Sequence, residues 1–138
     1  MPPSTNPPPF PAPPVPRPQV LLVDDEAMIL QVYALVLERH MAVDCHQARN
    51  AAEALVRLDA QSYHVLLTDM VMPGVSGVEL LHQARRLQPG LACGLMSGYL
   101  NGLEVANLPA NVFYLPKPFT MDQLITAMKQ ALAGSPAD

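Results

Sequence analysis

The chain has 138 residues, with 8 Lys+Arg against 12 Asp+Glu and a formal net charge of −4. That length suits one domain with a packed core, and 50% hydrophobic with only 14% charged residues excludes a wholly disordered acidic chain. The mild acidity argues against electrostatic nucleic-acid binding, and there is neither an apolar run of the ~18 residues a membrane span needs nor a secretory signal pattern.

Ten of the 16 prolines fall within Met1–Pro18. Proline lacks the N–H and fixes φ, so residues 1–18 read as a disordered, polyproline-like tail or spacer. A domain is expected over 19–134, with a short tail at 135–138. Val20-Leu21-Leu22-Val23 is a continuous apolar run ending in Asp24-Asp25-Glu26, the pattern of a parallel strand buried on both faces. Ala27–His40 then predicts a helix with Ile29, Val32, Tyr33, Val36 and Leu37 on its core face. Ala42–His46 reads as a second strand. Asn50 is a candidate N-cap, with Glu53 placed for a variant capping box, for a helix running to about Ala60.

His64–Thr68 predicts a third strand, ending in Asp69. Gly77–Leu87 has helical spacing at Val78, Leu81, Ala84 and Leu87. Leu91–Met96 predicts a fourth strand, ending in Ser97, and Val112–Leu115 a fifth. Thr120 and Gln123 form a capping box for a last helix, Met121–Ala133, which Gly134-Ser135-Pro136 stops. Leu100–Asn111 is a poor helix, interrupted by Asn101-Gly102 and Leu108-Pro109. Two cysteines, Cys45 and Cys93, are too few for a disulfide framework and read as reduced thiols in a cytoplasmic protein.

Strands alternating with helices imply an α/β fold with a parallel sheet and helices on both faces. Such sheets bind ligands beyond the carboxyl ends of their strands. Asp24-Asp25, Asp69, Ser97 and Lys117 all follow strands. Each has a bland explanation alone: helix capping, a turn, a loop, a solvated lysine. Together, three acids at one end of a sheet repel unless a hard cation joins them, and carboxylates suit Mg²⁺. A lysine and a hydroxyl beside that metal suit a phosphoryl group, and a carboxylate can accept one as a nucleophile.

Val23-Asp24-Asp25-Glu26, Asp69-Met70-Val71-Met72-Pro73 with Gly77, Met96-Ser97-Gly98-Tyr99 and Lys117-Pro118-Phe119 resemble the four signatures of the receiver domain of two-component response regulators. The resemblance spans Gln19 to about Ala133. It implies a flavodoxin-like (βα)₅ doubly wound sheet of strand order 2-1-3-4-5, here with a short or irregular fourth helix. Asp69 matches the phosphoacceptor. Asp25 matches the direct Mg²⁺ ligand, Asp24 an acid acting through water, and the Val71 backbone carbonyl a further ligand. Lys117 would bind a phosphoryl oxygen, with a cis Lys117–Pro118 bond. Ser97 matches the hydroxyl that moves toward the phosphoryl group, and Tyr114 the aromatic that turns with it. The donor would be a phosphohistidine of a histidine kinase or histidine phosphotransfer protein.

Ser97-Gly98-Tyr99 with a proline-interrupted fourth helix is similar to receivers attached to hybrid histidine kinases. The first helix is apolar nearly all round. Met28, Leu30, Ala34 and Leu35 are expected off its core stripe, as a surface for the histidine donor; cover by the N-terminal tail and self-association are the alternatives. Val71 and Tyr99, each two residues beyond a site residue, are poor acids and bases, so slow self-dephosphorylation is expected. The leading expectation is a phosphoacceptor without an output segment after Ala133, acting through protein contacts. A phosphorylation-independent pseudo-receiver is the alternative. A small-molecule phosphatase fits less well, because Asp24 and Asp25 are adjacent. A flavin carrier would want a phosphate loop where the Asp-Asp-Glu run stands.

Overall fold

The apolar run at Val20–Val23 becomes the middle of a sheet. The structure, a computed structural model, describes residues 16–98 and 107–134. In chain order these form β1 (Gln19–Val23), α1 (Ala27–His40), β2 (Asp44–Ala48), α2 (Ala51–Ala60), β3 (Val65–Asp69), α3 (Gly77–Leu87), β4 (Ala92–Ser97), β5 (Val112–Pro116) and α4 (Met121–Ala133). The expectations for the proline-rich segment up to residue 15, Tyr99, most of the weak helix at 100–111 and the tail from 135 lie outside the described residues.

All neighbouring strands pair in parallel, in the order β2-β1-β3-β4-β5. The fold is the flavodoxin-like α/β sheet that the receiver resemblance implies. Strand period 2 divides the core into two layers. Leu21, Val23 and Leu66 face α2 and α3, meeting Ala54, Leu58, Leu80, Leu81 and Ala84. Val20, Leu22, Val65 and Leu67 face α1 and α4, meeting Leu30, Leu37, Leu124 and Met128. Covered on both sides, β1 and β3 have no polar face to show, which is why their sequences do not alternate. β5 is an edge strand, and so tolerates Pro116 opposite Ser97. Gly94 faces Phe113 across β4 and β5, and the Phe113 ring fills the space a Cβ would take.

The caps form where the sequence places them, but the box expected at Asn50 is only half made. The Glu53 amide donates to Asn50 Oδ1 at 2.8 Å, while the Glu53 carboxylate accepts from the Arg49 amide at 3.4 Å rather than from Asn50. The Thr120–Gln123 box is complete. Ser76, not singled out in the sequence, caps α3 by accepting from the Glu79 amide at 3.3 Å.

Three expectations need correction. β2 begins at Asp44 rather than Ala42; the Val43 amide bonds back to the Met41 carbonyl, and pairing starts only where Asp44 meets Gln19. On α1, Leu30 and Ala34 are buried core residues, whereas Val32 is 50% exposed. The stripe Leu30, Ala34, Leu37 packs on the sheet. A second apolar stripe, Met28, Val32, Leu35, faces solvent, and helical periodicity alone fits both. On α3 the buried residues are Gly77, Leu80, Leu81 and Ala84, because α3 packs against both the sheet and α2. Leu87, in its last turn, is left 48% exposed.

Candidate functional site

Four strand ends meet at the carboxyl edge of the sheet. Asp24 and Asp25 follow β1, β3 ends in Asp69, β4 ends in Ser97, and Lys117 follows β5. One carboxylate oxygen from each of Asp24, Asp25 and Asp69 lies within 4.8 Å of the others. The Lys117 ammonium donates to Asp69 Oδ1 at 3.2 Å and stands 3.8 Å from Asp24 Oδ2. Asp24, Asp69 and Ser97 are buried, and Asp25 is exposed.

One ammonium cannot balance three carboxylates. Two unit charges 4 Å apart repel by about 4 kcal/mol at an effective dielectric constant near 20. Asp24 carries the clearest sign of this excess. Its Oδ1 accepts from the Glu26 amide at 3.0 Å, but its Oδ2 is buried and receives no hydrogen bond. Burial pushes the Asp24 carboxyl pKa up; the Glu26 amide pulls it down, Asp69 raises it, Lys117 lowers it and the neighbouring Asp25 carboxyl raises it, for a net rise. An all-oxygen, carboxylate-rich set with an undersupplied buried oxygen fits a hard divalent cation such as Mg²⁺.

The backbone holds these groups in place. The Met70 amide donates to the Met96 carbonyl and the Gly77 amide to the Met70 carbonyl, both at 2.9 Å. A Cβ on Gly77 would overlap the Asp69 carbonyl oxygen and come 2.9 Å from Met70 Cα. Only glycine lets α3 start that close to the acid-bearing strand end. Gly74, at φ +84°, turns the same loop. On the other side, the Ser97 carbonyl accepts both the Lys117 amide and the Tyr114 hydroxyl, each at 2.8 Å. The Lys117–Pro118 peptide is cis, as the resemblance implies.

The structure thus brings together Asp24, Asp25, Asp69 and Lys117, with Ser97 at the adjoining strand end and Tyr114 tied to it. Val71 lies in the loop after Asp69 with its side chain exposed. Met28 and Leu35 are exposed, at 79% and 54%, and with Val32 make a stripe on α1; Leu30 and Ala34 are not part of that surface.

Two further residues belong to the surroundings of the site. Tyr33, expected in the core, has its ring against Phe119, with centroids 5.5 Å apart. Burial raises its hydroxyl pKa, and the charges of Asp24, Asp69 and Glu26 add to the rise. Arg49, from the loop after β2, lines a cleft of about 660 Å³ with Asp25, Asn50, Pro73, Gly74 and Val75. Neither position carries a sequence signal, since both depend on how separate loops and helices come together.

Comparison with known proteins agrees with this geometry. The sensor kinase CckA of Brucella abortus is 32% identical over 117 residues, which span 82% of this chain and 12% of that protein. The DNA-binding transcriptional regulator NtrC of Escherichia coli K12 is 34% identical over 119 residues, 83% of this chain and 24% of that protein. The chain therefore spans only a small part of these relatives. A CheY-like response regulator receiver domain protein from Methanospirillum hungatei superposes with a TM-score of 0.79 at 27% identity, covering 86% of this chain and 95% of that one. The response regulator receiver domain model matches residues 20–129, and the chain is a member of that family of two-component signalling domains.

Proposed function

We propose that this receiver accepts a phosphoryl group on Asp69 from a phosphohistidine and changes its protein contacts as a result. The observation that carries this reading is the Lys117 ammonium at 3.2 Å from Asp69 Oδ1, inside a cluster of three carboxylates. An Asp69 oxygen attacks phosphorus as the P–N bond to the donor imidazole breaks. The electron pair leaves with the ring nitrogen, and an acyl phosphate forms on Asp69. Lys117 holds a phosphoryl oxygen and offsets its charge, so positioning and electrostatics supply most of the rate. Asp24, Asp25, Asp69 and the Val71 backbone carbonyl would hold Mg²⁺, which adds positive charge for the transferring oxygens when bound.

Once phosphorylated, Asp69 would draw the Ser97 hydroxyl toward it. Tyr114 is hydrogen-bonded to the Ser97 carbonyl, so movement at Ser97 reaches β5 directly. The exposed α1 stripe of Met28, Val32 and Leu35 supports docking of a histidine kinase or histidine phosphotransfer protein beside the site. Val71 offers no acid or base, which supports slow loss of the phosphoryl group. Free Cys45 and Cys93 suit a reducing, cytoplasmic setting.

Intact mass after incubation with Mg²⁺ and acetyl phosphate tests the reading. A single phosphoryl adduct, lost with EDTA and lost in Asp69→Asn, is expected. A folded wild type that takes no adduct from either acetyl phosphate or a phosphorylated histidine phosphotransfer protein would contradict it.

A further inference from the structure

The layer opposite α1 carries a surface that phosphoryl chemistry does not explain. Between α2 and α3 lies a groove of about 600 Å³ lined by Leu55, Val56, Asp59, Gln83, Arg86 and Leu87. Val56 is 69% exposed and Leu87 48%, although burying such apolar side chains is favourable. Asp59 and Arg86 are both exposed. Among the described residues the ion pairs are those of Lys117, so these two opposite charges share one groove without pairing. In the same groove, Gln83 Oε1 is buried with no hydrogen-bond donor.

We propose that this groove is a self-association surface, covered by α2 and α3 of a second copy of the chain. Both helices are crossovers between parallel strands, so they run parallel to each other. A two-fold axis parallel to them and midway between them sets α2 of one copy against α3 of the other. Asp59 then meets Arg86 of the second copy, and Arg86 meets its Asp59. Val56 and Leu87 are brought together in the same reciprocal way. A surface carrying one acid and one base around an apolar centre is complementary to itself, which is the requirement for a closed, isologous dimer. The α1 stripe lies on the other layer and the acid cluster at the carboxyl edge of the sheet, so both stay open in such a dimer. Two short helices per copy form a small interface, below the usual 1,200–2,000 Å². The association is therefore weak and concentration-dependent.

Sedimentation velocity of the full chain, run from about 10 μM to about 1 mM to cover weak interfaces of this class, tests the assignment. Wild type should shift from monomer to dimer. Asp59→Arg and Arg86→Asp should each weaken association by roughly tenfold or more. An equimolar mixture of the two should restore it, because each variant carries the charge that the other lacks. Val56→Glu should abolish it without such rescue. All four positions tested or matched are on exposed helix surfaces, so thermal midpoints should stay near wild type and certify folding. A wild type that is monomeric throughout, a dimer indifferent to these changes, or a mixture that fails to re-associate would overturn the proposal.

Discussion

Gly77 and the Asp69 carbonyl oxygen are packed so closely that a Cβ has no room between them. The start of α3 therefore rests on the backbone of the proposed acceptor. Gly77→Ala should destabilise the fold by about 1–3 kcal/mol, the usual cost of overpacking, and slow phosphorylation because Asp69 must shift. Urea denaturation and adduct formation with acetyl phosphate read the two effects. Gly94 offers a contrast, since its would-be Cβ meets the Phe113 side chain rather than backbone. Gly94→Ala should be partly rescued by Phe113→Leu, whereas Gly77→Ala has no such partner to trim.

Asp24 should cost stability when no metal is bound. Its pKa is raised in the folded state, chiefly by burial. The folded chain then holds its proton more tightly than the unfolded chain, so stability falls as pH rises above the ordinary carboxylate range. Asp24→Asn should raise the thermal midpoint in EDTA at pH 7. Wild type should gain stability with added Mg²⁺ as binding is linked to folding, while Asp24→Asn and Asp25→Asn gain much less. A metal-free Asp24→Asn that melts below wild type would count against this account of the cluster.

Neither cysteine should react in the native protein. Burial pushes the Cys45 thiol up to about 12, helped by Glu38 and Asp44. Burial pushes Cys93 up to about 11 despite the opposing influence of Arg85. Both are neutral thiols at pH 8, and thiolate is the reactive form. Ellman titration should find almost no fast-reacting thiol in buffer and two in urea. One rapidly labelled cysteine in buffer would show that the core around it opens.

The α1 stripe should matter to a protein donor and not to a small one. Met28→Asp with Leu35→Asp changes only exposed side chains, so stability should move by less than about 1 kcal/mol. Transfer from a phosphorylated histidine phosphotransfer protein should fall by roughly tenfold or more, while the acetyl phosphate rate is kept. Equal losses with both donors would point to a distorted site instead.

Much of this molecule is legible in the sequence because Asp24, Asp69 and Ser97 each stand at the end of a largely apolar run. Val20–Val23 and Val65–Thr68 are strands that can only be central, so Asp24 and Asp69 must meet at one edge. The facing of α1 is not legible. Its stripes Leu30-Ala34-Leu37 and Met28-Val32-Leu35 are equally apolar, and only packing against Leu124 and Met128 of α4 decides between them. Leu87 continues a helical pattern but falls beyond the sheet it was expected to cover. Arg49 and Tyr33 reach the site from β2's loop and α1's second turn, a placement that no local pattern encodes.

Asp69 should be the residue that carries the phosphoryl group. Borohydride reduces an aspartyl phosphate to homoserine, which marks the acceptor for peptide mass mapping. After treatment with Mg²⁺ and acetyl phosphate, homoserine is expected at position 69 and at neither 24 nor 25. Homoserine at another aspartate, or an adduct that persists in Asp69→Asn, would contradict it.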